Sequence, residues 1–295
     1  MLENIKYFLP TYRQCWIIVL YICVIGGLGV GFALATGAAS LGYKVEELNP
    51  LITYIAPMVP AFLYILYKGN KIAAENRIAK ENGDENRIVK AVPLSRFNAY
   101  GMNPVLLVSL VAVATVASMV ITEPLTQLFP MTDAIKEVYR RMLSNTFWTT
   151  MAVAVAAPLI EEFMLRGIML RGMLKHTSPI NAIHYSAFFF ALIHMNLSQA
   201  VGAFIFGLFI GWIYYKTGSL WMATLVHFLN NGLSILFTLA FPHDIELTLM
   251  KLIMEKHSIT VYIALYIIAA LTFWAIVRYI NKKLKNEQEP ETISL

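Results

Sequence analysis

The sequence predicts an all-α polytopic membrane protein with about eight transmembrane helices and both termini on the cytoplasmic side (N-in, C-in). Three observations carry that prediction. The first is composition: of 295 residues, 58% are apolar and only 14% are charged, against roughly a quarter charged in an ordinary soluble domain. The second is spacing. No Asp, Glu, Lys or Arg occurs from Gln14 to Tyr43, Leu48 to Tyr67, Phe97 to Thr122, Met142 to Ile160, His176 to Tyr215, Thr217 to His243, or His257 to Val277. Each interval is about as long as a helix needs to cross roughly 30 Å of hydrocarbon, and the one from His176 holds two such helices. The third is basic bias. With the termini inside, the inner segments carry 17 of the 23 Lys and Arg residues, which leaves Lys44, Lys136, Arg140, Arg141, Lys251 and Lys256 outside. The net charge of +5 is thus read as topology, and a nucleic-acid partner is not expected.

Taken in order, the first span begins near Gln14. Its apolar run from Trp16 to Leu34 exceeds the roughly 7 to 15 residues of a signal-peptide core, so it is expected to remain as an anchor, although Ala38-Ala39-Ser40 resembles a cleavage site. Cys15 and Cys23 share one face of this helix and are expected to be packing residues. After the second span comes a charged cytoplasmic connector, residues 68–96. In it Glu75-Asn-Arg-Ile-Ala-Lys80 recurs as Glu85-Asn-Arg-Ile-Val-Lys90, which predicts a surface helix interrupted at Asn82-Gly83. The third span follows, and then an outer stretch, Thr132 to Met142, whose spacing suits a helix lying along the interface. Turns at Thr177-Ser178-Pro179 and at Lys216-Thr217-Gly218 are expected to join the fourth to the fifth span and the sixth to the seventh. The expected organisation is an N-terminal membrane region at 1–144, a core at 145–240, and a final span with a basic tail at 241–295.

Chemistry is sought where ionisable residues interrupt apolar spans, because a carboxylate at membrane depth costs several kcal/mol unless paired or hydrated. The fourth span carries Glu161-Glu162-Phe-Met-Leu-Arg166. At about 100° per residue Arg166 lies roughly 40° from Glu162 and 140° from Glu161. A bridge from Glu162 to Arg166 then leaves Glu161 free as an acid/base group. Pro158, which has no N–H, is expected to kink this helix and admit water. The fifth span contributes Phe190-Ala-Leu-Ile-His194, at a distance from the turn that matches Glu161 in depth. The seventh contributes His227-Phe-Leu-Asn-Asn231, with His227 and Asn231 on one face. Together these form a hydrolytic set: Glu161 as base, His194 to orient a water, and His227 with Asn231 as donors to a developing oxyanion. Neither a Gly-x-Ser-x-Gly elbow nor a His-Glu-x-x-His helix is present.

Glu-Glu-x-x-x-Arg at 161–166, Phe-x-x-x-His at 190–194 and His-x-x-x-Asn at 227–231, in that order on successive apolar segments, resemble the CAAX protease and bacteriocin-processing (CPBP, or Abi) family of intramembrane endopeptidases. The resemblance covers about a third of the chain. It implies a membrane-embedded peptide hydrolase with Glu161 as catalytic base and His194, His227 and Asn231 completing the site. Glu162, Arg166 and Phe190 are supporting residues. The implied substrate is a peptide or protein, prenylated in some members, met within the lipid bilayer of a cytoplasmic or plasma membrane. No cofactor is expected, since Asn231 beside His227 suits an oxyanion better than a cation; the alternative is zinc held by Glu161, His194 and His227. A reading from another class, a transporter or bacteriocin-immunity protein binding ions or ligands through the same acids, is kept beside these. A mouth facing the cytoplasm is expected, because Arg166, Arg171 and Lys175 lie beside the site.

Overall fold

The computed structural model describes residues 2–44, 47–242, 244 and 246–284, and every regular element among them is helical. After a short 3-10 turn, Leu2–Tyr7, the chain forms α1, Tyr12–Ser40, and α2, Pro50–Glu81. α3 spans Pro104–Thr126 and α4 Asp133–Ser144. α5 occupies 146–173, followed by α6, Pro179–Ile193, and α7, Leu197–Thr217. α8, Leu220–Ala240, α9, Leu249–Lys256, and α10, Ile259–Lys283, complete the fold. Six of these helices, α1, α2, α3, α7, α8 and α10, are long and apolar enough to cross a membrane. The other two in the apolar part of the chain differ for physical reasons. α5 carries Glu161, Glu162, Arg166 and Arg171, and α6 has 15 residues, about 22 Å of helix.

Side-chain caps set most of the helix starts. Thr11 and Gln14 form a reciprocal capping box at α1, and Asn49, Asn103, Ser178, Asn196, Ser219, Thr248 and Ser258 each accept from a backbone N–H of the helix they precede. The expected turn between α5 and α6 falls at Ser178. Between α7 and α8 the chain reverses at Gly218, whose φ of 63° is left-handed and whose missing Cβ leaves room for the Arg96 carbonyl. Gly26 serves a close crossing: a Cβ there would lie 1.8 Å from the Pro57 carbonyl oxygen, so α1 and α2 meet backbone to backbone. Gly167 and Gly172 do not interrupt α5, which runs on to Met173.

The charged connector departs from the sequence expectation. α2 ends at Glu81, beside the expected break, but the second copy of the repeat forms only one 3-10 turn, Glu85–Arg87, and then extends. The Asn76 side chain captures the backbone of Val89, accepting from its N–H at 2.8 Å and donating to its carbonyl at 2.9 Å. From there residues 88–98 cross one end of the bundle as a strap. Val92 N–H donates to Lys6 O, Arg96 N–H to Gly218 O and Asn98 N–H to Thr217 O. Ser95 Oγ accepts from Leu220 N–H, and Leu94 O accepts from the Tyr214 hydroxyl. Arg171 ties the strap to the N-terminus, donating to the carbonyls of Val92, Ile5 and Phe8. At this same end Lys216 Nζ reaches Leu284 O. We call it the basic end; Lys285, counted with its charges, lies outside the described residues. At the opposite end α4 is tied down by Lys136 to Glu246 at 2.9 Å and by a Gln199–Tyr139 hydrogen bond.

Candidate active site

The local shape of α5 starts with Pro158. The helix does not break there. A π-helical stretch, Met151–Ala156, precedes it and another, Phe163–Leu170, follows the acidic pair. Such wide turns inside α-helices are common at functional sites. In the first stretch the Ala157 N–H donates to Ala152 O, five residues back. The next donor in that register is Pro158, which has none. The Val153 carbonyl is thereby left open, and Asn231 Nδ2 on α8 donates to it at 2.8 Å. One proline thus fixes where Asn231 sits. Its Oδ1 accepts from Asn230, so one amide N–H of Asn231 is left for another partner.

The charged group is buried: Glu162 and Arg166 are 0% exposed, His227 3% and Glu161 8%. Arg166 Nη1 donates to Glu162 Oε1 at 2.8 Å, the i,i+4 bridge expected from helix geometry. The same oxygen lies 2.8 Å from His227 Nδ1. A carboxylate only accepts, so Nδ1 carries the hydrogen, and the ring turns Nε2 toward Glu161, 4.0 Å from its Oε2. Arg166 spans three helices, since Nη2 donates to the Gly207 carbonyl on α7 and the guanidinium lies 4.8 Å from the centre of the Phe190 ring on α6. Phe190 also meets both histidines edge-on, His194 at 5.0 Å and His227 at 5.3 Å between ring centres.

Glu161 has a partner outside this cluster. The Tyr54 hydroxyl, on α2, donates to Glu161 Oε1 at 2.7 Å. Oε2 is buried and makes no hydrogen bond among the described residues. The carboxylate is therefore held by one oxygen and presents the other toward His227. Nothing in the sequence singles out Tyr54 among the chain's 15 tyrosines except its place in an uncharged span. The acceptor role of the Gly207 carbonyl has no sequence signature at all. Beside Tyr54 and Glu161 runs an apolar groove of about 360 Å³ between α2 and α5, lined by Ile55, Met58, Phe62, Ile160, Phe163 and Met164 among others.

The structure brings Glu161, Glu162, Arg166, His227 and Asn231 together as expected. His194 caps the end of α6, its Nδ1–H donating to Phe190 O at 2.7 Å, and among the described residues no direct hydrogen bond or ion pair joins it to Glu161. Also among the described residues, no group of three His, Cys, Asp or Glu side chains is placed to hold a metal ion, so Glu161, His194 and His227 do not form the ligand set that the zinc alternative needs.

Residues 143–233 match the family model described as "Rce1-like: Type II CAAX prenyl endopeptidase Rce1-like". The matched stretch holds all seven side chains expected from sequence to form the site and excludes Tyr54. No curated protein and no solved structure matches the chain. A match to this family suggests a membrane protease, and the apolar helices fit a protein that crosses the membrane several times. The stretch that matches the Rce1-like CAAX protease family model, residues 143–233, is thus also the one that gathers Glu161, Glu162, Arg166, His227 and Asn231 on α5 and α8.

Proposed function

We propose that this protein is an intramembrane endopeptidase that hydrolyses a peptide bond with water activated by Glu161. The observation that carries the reading is the pair of converging acceptors, Glu161 Oε2 and His227 Nε2, 4.0 Å apart. A water oxygen about 2.8 Å from each acceptor would see them at an angle of about 90°, close to its own geometry. Donating both hydrogens, it keeps its lone pairs for the scissile carbonyl. Glu161 takes one proton as the new C–O bond forms, and returns it to the amine as the C–N bond breaks. The remaining N–H of Asn231 is the donor offered to the oxyanion. Glu162 orients His227, and Tyr54 orients Glu161. His194, its Nδ1 committed to the Phe190 carbonyl, offers Nε2 to the substrate backbone.

In this reading α5 and α6 lie in the bilayer with the six longer helices, which makes eight. Both termini are cytoplasmic, as the basic bias favours, and the protein resides in the cytoplasmic membrane. Residues 145–240 are the catalytic unit, 1–144 supply Tyr54 and the strap, and 241–295 the last span and tail. The substrate is a peptide or protein segment, prenylated or not, and the groove beside Glu161 suits an apolar chain. The test compares membrane and secreted peptides from cells carrying the wild type and Glu161→Gln. Products present only with the wild type support hydrolysis. Full biological activity from a folded Glu161→Gln protein would favour a binding or transport role instead.

A further inference from the structure

The three sequence motifs lie on α5, α6 and α8, and α7 carries none of them. It nevertheless reaches the same charged group through two adjacent residues, Phe206 and Gly207, both buried. Consecutive positions on a helix point about 100° apart, so such a pair can serve two neighbours at once. Phe206 meets α8: its ring centre lies 6.3 Å from that of His227, with the planes at 76°. Gly207 meets α5 and α6. Its carbonyl accepts from Arg166 Nη2 at 3.1 Å, and a Cβ on it would lie 3.0 Å from Ala187 Cα and 3.1 Å from Phe190 Cδ1.

The closeness of α6 and α7 has a local cause. Gly207-Leu-Phe-Ile-Gly211 sets two glycines about one turn apart, and the α6 residues nearest to them, Ala187 and Ile183, have the same spacing. Small residues in this pattern let helices approach closely within a membrane. The consequence reaches His227, because Phe190 comes from α6 and Phe206 from α7. Both rings stand nearly perpendicular to the imidazole, at 78° and 76°, with centres 5.3 Å and 6.3 Å from it. The hydrogen bond from Nδ1 to Glu162 Oε1 fixes one atom of the imidazole and leaves its plane open. The last torsion of a histidine side chain is broad, so a ring pinned only at Nδ1 can still swing Nε2 away from Glu161. Two flanking rings remove that freedom.

We propose that Phe206 is a positioning residue for His227: with Phe190 it clamps the imidazole so that Nε2 stays turned toward Glu161. Gly207 sets the width of the clamp by letting α7 close on α6 and on Arg166. The inference rests on the protease reading for what the clamp serves, and on ring geometry for its existence.

Nitrogen NMR of the histidine side chains tests the clamp without turnover. The full chain, with its six histidines isotope-labelled, is purified in detergent micelles, and the His227 signals are identified by their loss in His227→Gln. In the wild type Nδ1 and Nε2 of His227 are expected as two well-separated signals, the mark of one fixed tautomer. In Phe206→Leu, shown to be folded by gel filtration, the two are expected to draw together as the ring swings and its tautomers exchange. Gly207→Ala is expected to do the same. Phe209→Leu removes a buried ring of the same helix whose ring neighbours are Phe206, Trp212 and Phe273, and is expected to leave the His227 signals in place. Signals already merged in the wild type, unmoved signals in Phe206→Leu, or an equal shift in Phe209→Leu would each overturn the proposal. A Gly207→Ala protein that does not fold, or one with unmoved signals, would remove Gly207 from it. None of these results depends on cleavage, so the clamp and the role of Glu161 fail separately.

Discussion

The pair formed by Glu162 and Arg166 yields a sharp prediction, because His227 shares its carboxylate. Arg166 is fully buried, and among the described residues its partners besides Glu162 are the Gly207 carbonyl and the Phe190 ring. Two unit charges about 4 Å apart in surroundings of effective dielectric near 20 attract by about 4 kcal/mol. Removing one member of a buried pair typically costs about 3–5 kcal/mol, because the other charge is stranded. Glu162→Leu is expected to fall at the top of that range. Arg166→Met is expected at the bottom, since Glu162 keeps the His227 donor. The double variant strands no charge and is expected to be less destabilised than either single one. Its cleavage activity is not expected to return, because His227 has lost the acceptor that turns Nε2 toward Glu161. The assays are thermal unfolding in detergent and product formation in the peptide comparison. A double variant destabilised by the sum of the two singles, or one that cleaves like the wild type, would refute the argument.

Further expectations follow from neighbouring contacts. Tyr54→Phe removes one hydrogen bond to a charged group, worth about 1.5–3 kcal/mol, and turnover should fall about tenfold or more, with KM unchanged; an unaltered kcat would remove Tyr54 from the site. Pro158→Ala restores an N–H that competes with Asn231 for the Val153 carbonyl, so kcat should drop while the unfolding temperature holds or rises, and a loss of stability without a loss of kcat would reverse this assignment. Cleavage by purified protein should survive exhaustive chelation; loss restored by added Zn²⁺ would establish the zinc alternative.

What the sequence made legible was local. The charge-free intervals, the turns at Ser178 and Gly218 and the Glu162–Arg166 spacing each depend on neighbours a few residues away, and the helices and the bridge stand where those neighbours put them. The role of Pro158 was half legible: its missing N–H was evident, but the widened turn and the capture of Val153 by Asn231 join residues 78 positions apart. Tyr54 and Glu161 are 107 apart, and no short pattern relates them. Equal depth placed His194 opposite Glu161, but depth fixes height in a bundle and leaves azimuth open; the contact that relates the two histidines is the Phe190 ring, which meets both edge-on. The connector was misjudged for a related reason: the ten-residue repeat favoured a surface helix resuming after Asn82-Gly83, while hydrogen bonds to Asn76, Lys6, Gly218 and Thr217 hold residues 88–98 extended.

The strap also constrains the order in which the molecule can be made. Lys6 and Asn76 precede residues 88–98, but most of the groups that hold them follow: Arg171, Tyr214, Thr217, Gly218 and Leu220 are synthesised later, some of them more than a hundred residues on. Contacts of such sequence separation form late. The first three helices can therefore enter the membrane one by one, but the end they share with α5, α7 and α8 is sealed only after α8 has begun. Until then residues 88–98 lack those hydrogen bonds, so their protection from an added protease is expected to measure finished assembly.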